Sequence, residues 1–207
     1  MKRDTKKGQY VEILLRSPKT VFSTKDIAML WEEKVETAVR VRLSSYVKNG
    51  KLIRIYHGIY AKDKNYDRFE LATRIYTPSY ISFETVLTRS GVNFQYYENI
   101  FVASYVTREV EADGQKISFL KIKDYVLSNT IGIEHTNDVY IATKERAFLD
   151  RIYISKDYHF DHLDVLDWDK VFEILPIYRN KRMNKKVTEY FKHYKNDKLD
   201  NNKTIGH

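Results

Sequence analysis

The side chains whose types and spacing could do chemistry are concentrated on one predicted helix, residues 37–49. Apolar residues recur on one side of it, namely Val39, Leu43, Tyr46 and Val47. The outward side carries Thr37, Arg40, Val41, Ser44 and Lys48. An arginine can bind a guanine edge through two hydrogen bonds or pair with a phosphate, and serine and threonine suit either group. This face therefore predicts a surface that contacts duplex DNA, although Glu36 beside it is an unfavourable charge.

Further basic side chains flank this face. Lys25 lies at the start of the preceding predicted helix, where the free backbone amides also favour a phosphate. Arg42 lies toward the flank of residues 37–49 and is predicted to meet the DNA backbone. Arg54 and His57 fall on a predicted hairpin, from which we expect contacts to the minor groove or to the backbone.

The first 61 residues supply the elements that position these side chains. Residues 9–17 predict one helix, and Ser23 or Thr24 predicts the N-cap of a second. The inward side of this second helix is predicted to be Ile27, Ala28, Leu30 and Trp31. Alternating residues on either side of Gly58 predict a β-hairpin. Three helices followed by a hairpin predict a winged helix-turn-helix, a fold that serves either to read DNA or to bind another protein.

Positive charge is placed at the two ends of the chain. Residues 1–60 contain 13 Lys/Arg and 6 Asp/Glu, residues 61–180 contain 15 and 19, and residues 181–207 contain 8 and 3. Basic segments release counterions when they bind phosphates, so they are a common sign of nucleic-acid binding. Lysine-rich surfaces also serve solubility alone, and charge by itself does not separate the two interpretations.

The remaining sequence predicts mixed secondary structure, so the fold class is α+β. The predicted helices are residues 67–77, 81–91, 143–153, 170–178 and 180–194. The predicted strands are residues 99–107, 116–122 and 138–142, with a tight turn at Asp113-Gly114. These patterns divide the chain into a DNA-binding domain at 1–61, an α+β domain at 62–195 and a polar tail at 196–207, which is predicted to be disordered.

Several function classes lack their usual sequence signals. The 207 residues include no cysteine and no apolar run long enough to span a membrane, and the basic start is not followed by an apolar leader segment. We therefore expect a cytoplasmic protein without a membrane partner. No glycine-rich phosphate loop is present, so no cofactor is expected.

Enzyme chemistry has only weak support. The stretch DYHFDHLD at residues 157–164 contains carboxylates and imidazoles that could bind a divalent metal, but its spacing favours a solvated acidic loop, and no metal is predicted. Scattered carboxylates such as Glu84, Glu109 and Asp150 leave a nuclease open as an alternative. The prediction is that the chain is not an enzyme and has no catalytic residue.

Three stretches together resemble the AbiEi-type antitoxins of type IV toxin–antitoxin systems. They are residues 49–60, within the predicted third helix and hairpin, residues 78–87 (PSYISFETVL) and residues 142–150 (ATKERAFLD). The second and third are similar to the family's segments PSYISLESAL and ATPEKALLD, although Lys144 replaces the usual proline. The likeness covers roughly residues 9–155, and the last 50 residues contribute nothing to it.

The resemblance implies a transcriptional repressor that binds inverted repeats in its own promoter. It also implies a neighbouring gene for a nucleotidyltransferase-like toxin, which the antitoxin counters without stable direct contact. The C-terminal domain would then be the antitoxin part. Binding to repeats favours a monomer or weak dimer that pairs on DNA.

The two C-terminal motifs also have a structural interpretation. Ser82 and Thr143 are each predicted to cap the helix that follows. Arg146 and Asp150 are four residues apart, so they are predicted to pair on a helix surface, or else to belong with Glu145 to a functional surface.

Two other functions stay open beside the antitoxin. One is a transcription factor whose C-terminal domain senses a ligand or a partner, and the other is a nucleic-acid-processing enzyme with a winged-helix targeting domain. The basic helix at residues 180–194 could contact phosphates, contact a toxin or be a solvated face.

Overall fold

The computed structural model describes residues 9–155 and 157–204, and it confirms a mixed α and β fold. Residues 1–8 of the predicted first domain and residues 205–207 of the predicted tail lie outside the described part. The first elements are α1 (Gln9–Arg16), β1 (Val21–Ser23), α2 (Thr24–Leu30), α3 (Glu36–Lys48), β2 (Ile53–Tyr56) and β3 (Ile59–Ala61).

The start of α2 is fixed by a reciprocal cap. The Ser23 hydroxyl accepts a hydrogen bond from the Asp26 amide at 3.1 Å, and the Asp26 carboxylate accepts one from the Ser23 amide at 2.9 Å. This arrangement satisfies two backbone donors that would otherwise be free. Ser23, rather than Thr24, is therefore the N-cap.

A three-stranded antiparallel sheet follows the order β1-β3-β2, so β3 is its central strand. Residue Val21 pairs with Ala61, and Ile53 pairs with the same residue from the other side. The hairpin about Gly58 is thereby confirmed. Strand β1 was not expected from the sequence, because three residues are too few to show an alternating pattern and their partner strand lies about forty residues away.

The two faces of this small sheet belong to different cores. One face carries Phe22 and Tyr60, which pack with the apolar sides of α1, α2 and α3. The buried members of this first core are Leu14, Phe22, Ile27, Trp31, Val39, Leu43, Tyr46, Leu52 and Tyr60. Leu30 was expected among them, but its side chain is 38% exposed.

The rest of the chain is built around a six-stranded mixed sheet of order β6-β7-β5-β4-β9-β8. Its strands are β4 (Ser79–Ile81), β5 (Ile100–Ser104), β6 (Arg108–Ala112), β7 (Gln115–Lys121), β8 (Ile133–Thr136) and β9 (Val139–Ala142). The helices are α4 (Arg68–Ile75), α5 (Phe83–Arg89), α6 (Asp124–Leu127), α7 (Lys144–Ile154), α8 (Trp168–Ile174) and α9 (Lys181–Thr204), with a 3-10 turn at Leu175–Tyr178.

Three sequence predictions are corrected here. Residues 79–81, of which Ile81 was assigned to a helix, form the inner strand β4, and neither β6 nor β8 was expected. The predicted disordered tail also differs, because α9 continues to Thr204. Residues 195–204 are polar apart from Leu199 and contain neither glycine nor proline, so no helix breaker ends α9 where its apolar pattern stops.

Arg146 and Asp150 form an ion pair, but it lies in the core and not on a helix surface. Both side chains are 0% exposed, and the Arg146 Nε lies 3.3 Å from the Asp150 Oδ1. Asp150 also accepts hydrogen bonds from the hydroxyls of Tyr80 (2.9 Å), Ser82 (2.8 Å) and Tyr178 (2.7 Å). Ser82 therefore makes no side-chain cap to α5, contrary to the prediction, whereas Thr143 does cap α7.

The guanidinium of Arg146 is satisfied on its other side by backbone carbonyls. It donates to the carbonyls of Val126 and Ile131, each at 2.8 Å. Burial alone would lower the pKa of Arg146, but Asp150 and the two tyrosines hold it above its usual value. This buried pair joins β4, α5, α6, α7 and the 3-10 turn in one network.

Among the helices of residues 9–155 and 157–204, none combines the length and the apolarity that a membrane-spanning segment needs.

We predict that Arg146→Met destabilises the protein by about 3–5 kcal/mol, because it leaves a buried carboxylate without its counter-charge. The double variant Arg146→Met/Asp150→Asn should be more stable than this single variant, since no buried charge remains. Urea unfolding measures both free energies.

The matched control is Glu12→Gln, which breaks an exposed pair with Arg16 of the same four-residue spacing. It should cost less than about 1 kcal/mol. If the double variant lost as much stability as Arg146→Met and Asp150→Asn lose together when measured singly, the pairing would be contradicted.

Candidate nucleic-acid interface

Helix α3 presents an exposed polar face opposite its buried stripe. Val39, Leu43 and Tyr46 point into the first core, and Val47 is half-buried. The exposed residues include all five of the predicted outward set, Thr37, Arg40, Val41, Ser44 and Lys48. Val41 is 71% exposed, so an apolar contact is available at the middle of this face.

Arg40 is held by an acidic neighbour on the same face. Its Nη2 donates to the Glu36 Oε1 at 2.6 Å, and both side chains are about two-thirds exposed. An exposed pair of this kind contributes little to stability and is easily exchanged for another anion. Glu36 would therefore compete with an anionic ligand for Arg40, and its charge would also repel that ligand.

Arg42 makes contacts within the protein, and its contact with a DNA backbone stays a prediction. Its guanidinium lies over the Tyr10 ring, 3.9 Å from the ring centroid, and Nη1 lies 3.8 Å from the Glu33 carboxylate. These contacts join α3 to α1 and to the segment after α2. Arg42 thus orients α3, while its side chain stays 28% exposed and lines a surface pocket together with Thr37 and Val41.

The β2–β3 turn is fastened to the start of α2. Both the amide and the hydroxyl of Thr24 donate to the Gly58 carbonyl, at 2.9 and 3.1 Å. Gly58 has a φ of +73°, which glycine adopts without strain. The exposed Arg54 and His57 lie on this hairpin, with Arg54 Nη2 3.1 Å from His57 Nδ1.

A groove of about 690 Å³ brings parts of these elements together. Lys25 from α2 and His57 from the turn both line it, together with Glu36 at the start of α3. Lys34 and Tyr105 also line the groove, and sequence reasoning did not select either. Lys34 could have been found from its charge, whereas Tyr105 comes from the end of β5 and is brought there only by the tertiary fold.

Asp26 connects this surface to the rest of the protein. Besides its bonds to Ser23, its carboxylate lies 3.7 Å from Lys19 and 3.6 Å from Arg74 of α4. Burial acts to raise the pKa of Asp26, but the Ser23 hydrogen bonds and the two cations outweigh it, so the pKa is lower than usual.

The acidic stretch at 157–164 does not assemble a metal site in the described residues. No group of three or more histidine, aspartate or glutamate side chains in residues 9–155 and 157–204 could hold a metal ion. Asp161 instead accepts a hydrogen bond from the Phe94 amide at 2.9 Å. His159 is 88% exposed and lies 3.6 Å from Asp161.

The three carboxylates considered for a nuclease have separate surroundings. Asp150 is enclosed by the Arg146 network, and Glu84 is paired with Arg151 at 3.1 Å. Glu109 is exposed on β6, an edge strand of the large sheet. Each of the three carboxylates therefore has a different environment and different partners.

Comparison with known proteins identifies no relative. No family model matches the chain, and no curated protein shows significant similarity to it. The two C-terminal motifs that carry the resemblance to AbiEi-type antitoxins do meet in space, because Tyr80 and Ser82 of the first bond to Asp150 of the second. Their shared residues thus form a buried core network.

We predict a pH-dependent loss when Asp26 is replaced by asparagine. Since the pKa of Asp26 in the folded protein is below its ordinary 3.8, its stabilisation is complete above that pH and is lost as the pH falls through the folded-state pKa. Asp26→Asn should therefore cost about 1–3 kcal/mol at neutral pH and much less near pH 3.

Urea unfolding at about pH 7 and about pH 3 measures this difference. Asp164→Asn, which removes an exposed carboxylate, is the control and should behave as the wild type does at neutral pH. An equal cost of Asp26→Asn at both pH values would show that its charge is not what stabilises α2.

Proposed function

We propose that residues 9–61 are a winged helix-turn-helix that reads duplex DNA in the cytoplasm. The order α1-β1-α2-α3-β2-β3, with β3 central in the sheet, supports this proposal. In a helix-turn-helix the second helix lies in the major groove. The observation that carries the proposal is the exposed face of α3, which has no carboxylate between Thr37 and Lys48 and is opposite the buried Val39, Leu43 and Tyr46.

The charge of this region is consistent with a polyanionic ligand. Residues 1–60 contain 13 basic and 6 acidic side chains. A protein that neutralises phosphates with lysine and arginine gains affinity from counterion release, and this gain falls steeply with salt. Lys25, Lys48 and Arg54 would supply such phosphate contacts at the edges of α3.

Base reading is assigned to the centre of the face. Arg40 can reach a guanine edge, and Val41 can pack on the methyl group of a thymine. Thr37 and Ser44 suit either bases or phosphates, and His57 on the hairpin is placed to meet the minor groove or backbone. Arg42 at the flank of the face would contact the DNA backbone, and its contact with Tyr10 orients α3.

The DNA-binding part is proposed to serve an autoregulating antitoxin. This extension is supported by the resemblance to AbiEi-type antitoxins, and the proposal is that the chain binds inverted repeats in its own promoter. The motifs behind the resemblance form the Tyr80–Asp150 network, which argues for a similar C-terminal fold. The partner would be a nucleotidyltransferase-like toxin that is countered without stable contact.

We predict that Arg40→Ala weakens binding to the protein's own upstream DNA by about 1–3 kcal/mol and relaxes base preference at one position of each half-site. Lys48→Ala should weaken native and scrambled duplexes alike and reduce the salt slope by about one. Fluorescence anisotropy at several salt concentrations measures both effects. Lys116→Ala, an exposed charge on β7, is the control and should leave binding unchanged. Equal affinities of all these variants would contradict the assigned face.

We also predict that Glu36→Gln tightens DNA binding. The substitution frees Arg40 from its 2.6 Å partner and removes a carboxylate that faces phosphates. Affinity should rise several-fold at low salt, and the gain should be smaller when Arg40 is already alanine, because only the loss of repulsion then remains. Weaker binding of Glu36→Gln would show that the carboxylate assists recognition, for instance by accepting from a cytosine, and would overturn its role as a competitor.

The antitoxin extension has its own test. Expression of the adjacent gene alone should arrest growth, and co-expression of this chain should restore it. Because the proposed action needs no complex, the two proteins should not co-purify. Failure of rescue, with DNA binding intact, would leave a transcription factor and remove the antitoxin role.

A further inference from the structure

A second cleft lies between α4, α5 and the β8–β9 turn. Its lining residues fall between positions 67 and 141, after the part of the sequence that contains α3. Its volume is about 530 Å³, within the range of small-molecule sites. Its floor is apolar and made of Ile81, Val86 and Val139, which are at most 8% exposed. The turn contributes Thr136 and Asn137 to the opposite rim. An apolar floor with a few polar groups at the rim is the usual form of a ligand site.

Two arginines at this rim have no anionic partner. Arg68 and Arg89 are exposed, and no carboxylate in the described residues lies within ion-pairing distance of either. Arg89 lies over the Phe69 ring, 4.8 Å from its centroid, and Arg68 reaches only Gln115 at 3.4 Å. The ring contact holds Arg89 beside the cleft and leaves its donors available.

The one acidic residue of the cleft is already used. Asp67 caps α4 by accepting hydrogen bonds from the amides of Phe69 (2.7 Å) and Glu70 (3.4 Å). A carboxylate bound at a helix N-terminus has its charge offset by the helix amides. The charged residues of the cleft lining are thus two arginines and one carboxylate that is already engaged, so positive charge is in excess there.

We propose that this cleft binds a small molecule with a carboxylate on an apolar body, and that binding regulates the DNA-reading unit. The carboxylate would pair with Arg68 and Arg89, since a guanidinium fits a carboxylate with two parallel hydrogen bonds. The apolar body would cover Ile81, Val86 and Val139. The regulatory part of this proposal rests on the proposed function.

The β8–β9 turn supplies the route from the cleft to the first core. Asn137 lines the cleft. The next residue, Asp138, forms an ion pair with Lys19 at 2.9 Å and another with Arg74. Lys19 and Arg74 both also approach Asp26 of α2. A ligand that moves the turn would therefore change the charges that hold α2, the helix that precedes α3.

Helix α4 provides a second route. Its first turn lines the cleft, while its Glu70 accepts hydrogen bonds from both the amide (2.8 Å) and the hydroxyl (2.6 Å) of Thr20, just before β1. Coupling between two sites requires an element that contacts both, and α4 and the β8–β9 turn each meet this condition.

The first test is a titration of the full chain, without DNA, followed by amide NMR shifts. The probes are benzoate and its neutral isostere benzamide. Benzoate should shift the signals of the cleft with a Kd on the order of 1 mM, as expected for so small a ligand. Benzamide should bind about tenfold more weakly, because it lacks the charge that pairs with arginine.

Variants then assign the carboxylate. Arg89→Ala and Arg68→Ala should each weaken benzoate several-fold and leave benzamide unchanged. Arg182→Ala, which removes an exposed arginine from α9, is the matched control and should bind benzoate as the wild type does. Equal binding of the two probes, or no cleft shift with benzoate at about ten times the expected Kd, would overturn the site.

The second test measures regulation. Saturating benzoate should change the affinity for upstream DNA about fivefold or more, a typical coupling between sites. Asp138→Asn, which keeps a residue suited to the positive φ of 65° there, should bind benzoate but lose this change. Unchanged DNA affinity in the wild type would overturn the regulatory part. A chain that binds no DNA would refute the proposed function instead, and the benzoate titration would still decide the site.

Discussion

The small sheet is covered on both faces, and the placement of the whole N-terminal region depends on this constraint. Phe22 and Tyr60 face the three helices, whereas Val21, Ile59 and Ala61 belong to the larger core. A strand buried on two sides cannot move without opening both cores. Its burial therefore fixes how α3 and the β2–β3 turn are presented, and it prevents residues 9–61 from behaving as a loosely tethered module.

Polar contacts around this sheet add direction to the apolar packing. Asp26, Glu70 and Asp138 receive cations or hydrogen bonds from across the boundary between the two cores. Ion pairs in partly buried positions depend on the exact placement of their partners, so they are sensitive to small movements of α4 or of the β8–β9 turn. The contacts that hold α2 in place are therefore also the ones that a movement of α4 or of the β8–β9 turn would disturb.

The sequence was sufficient for much of the fold, and the reasons for the failures are physical. Helices α1, α3 and α7 and the hairpin about Gly58 were predicted because local signals, such as caps and apolar spacing, decide them. Strands β1, β4 and β8 have only three or four residues. Strands β1 and β4 form by pairing with strands that are distant in the chain, and β8 forms by pairing with β9 across a turn that was not predicted. The role of Ser82 was misassigned for a related reason. Its hydroxyl donates a hydrogen bond to Asp150, 68 residues away, and does not cap its own helix.

The candidate site shows the same division between local and tertiary information. The exposed face of α3 follows from helical spacing, and its five residues are outward as predicted. Only the structure shows that Arg42 packs on Tyr10 and that Arg40 pairs with Glu36. Arg146 and Asp150 have the spacing of an ordinary surface pair, and it is the surrounding hydroxyls and backbone carbonyls that make their burial tolerable.

The central claim, that α3 lies against DNA bases, is tested most directly by site-specific photo-crosslinking. A benzophenone side chain would replace Val41, the 71% exposed apolar residue at the middle of the face. A second protein would carry it at Lys192, on the basic helix α9. We predict that the chain labelled at position 41 crosslinks to bases within one repeat of its upstream DNA and not to a scrambled duplex. Crosslinking from position 192 alone, or equal crosslinking of position 41 to both duplexes, would contradict the account.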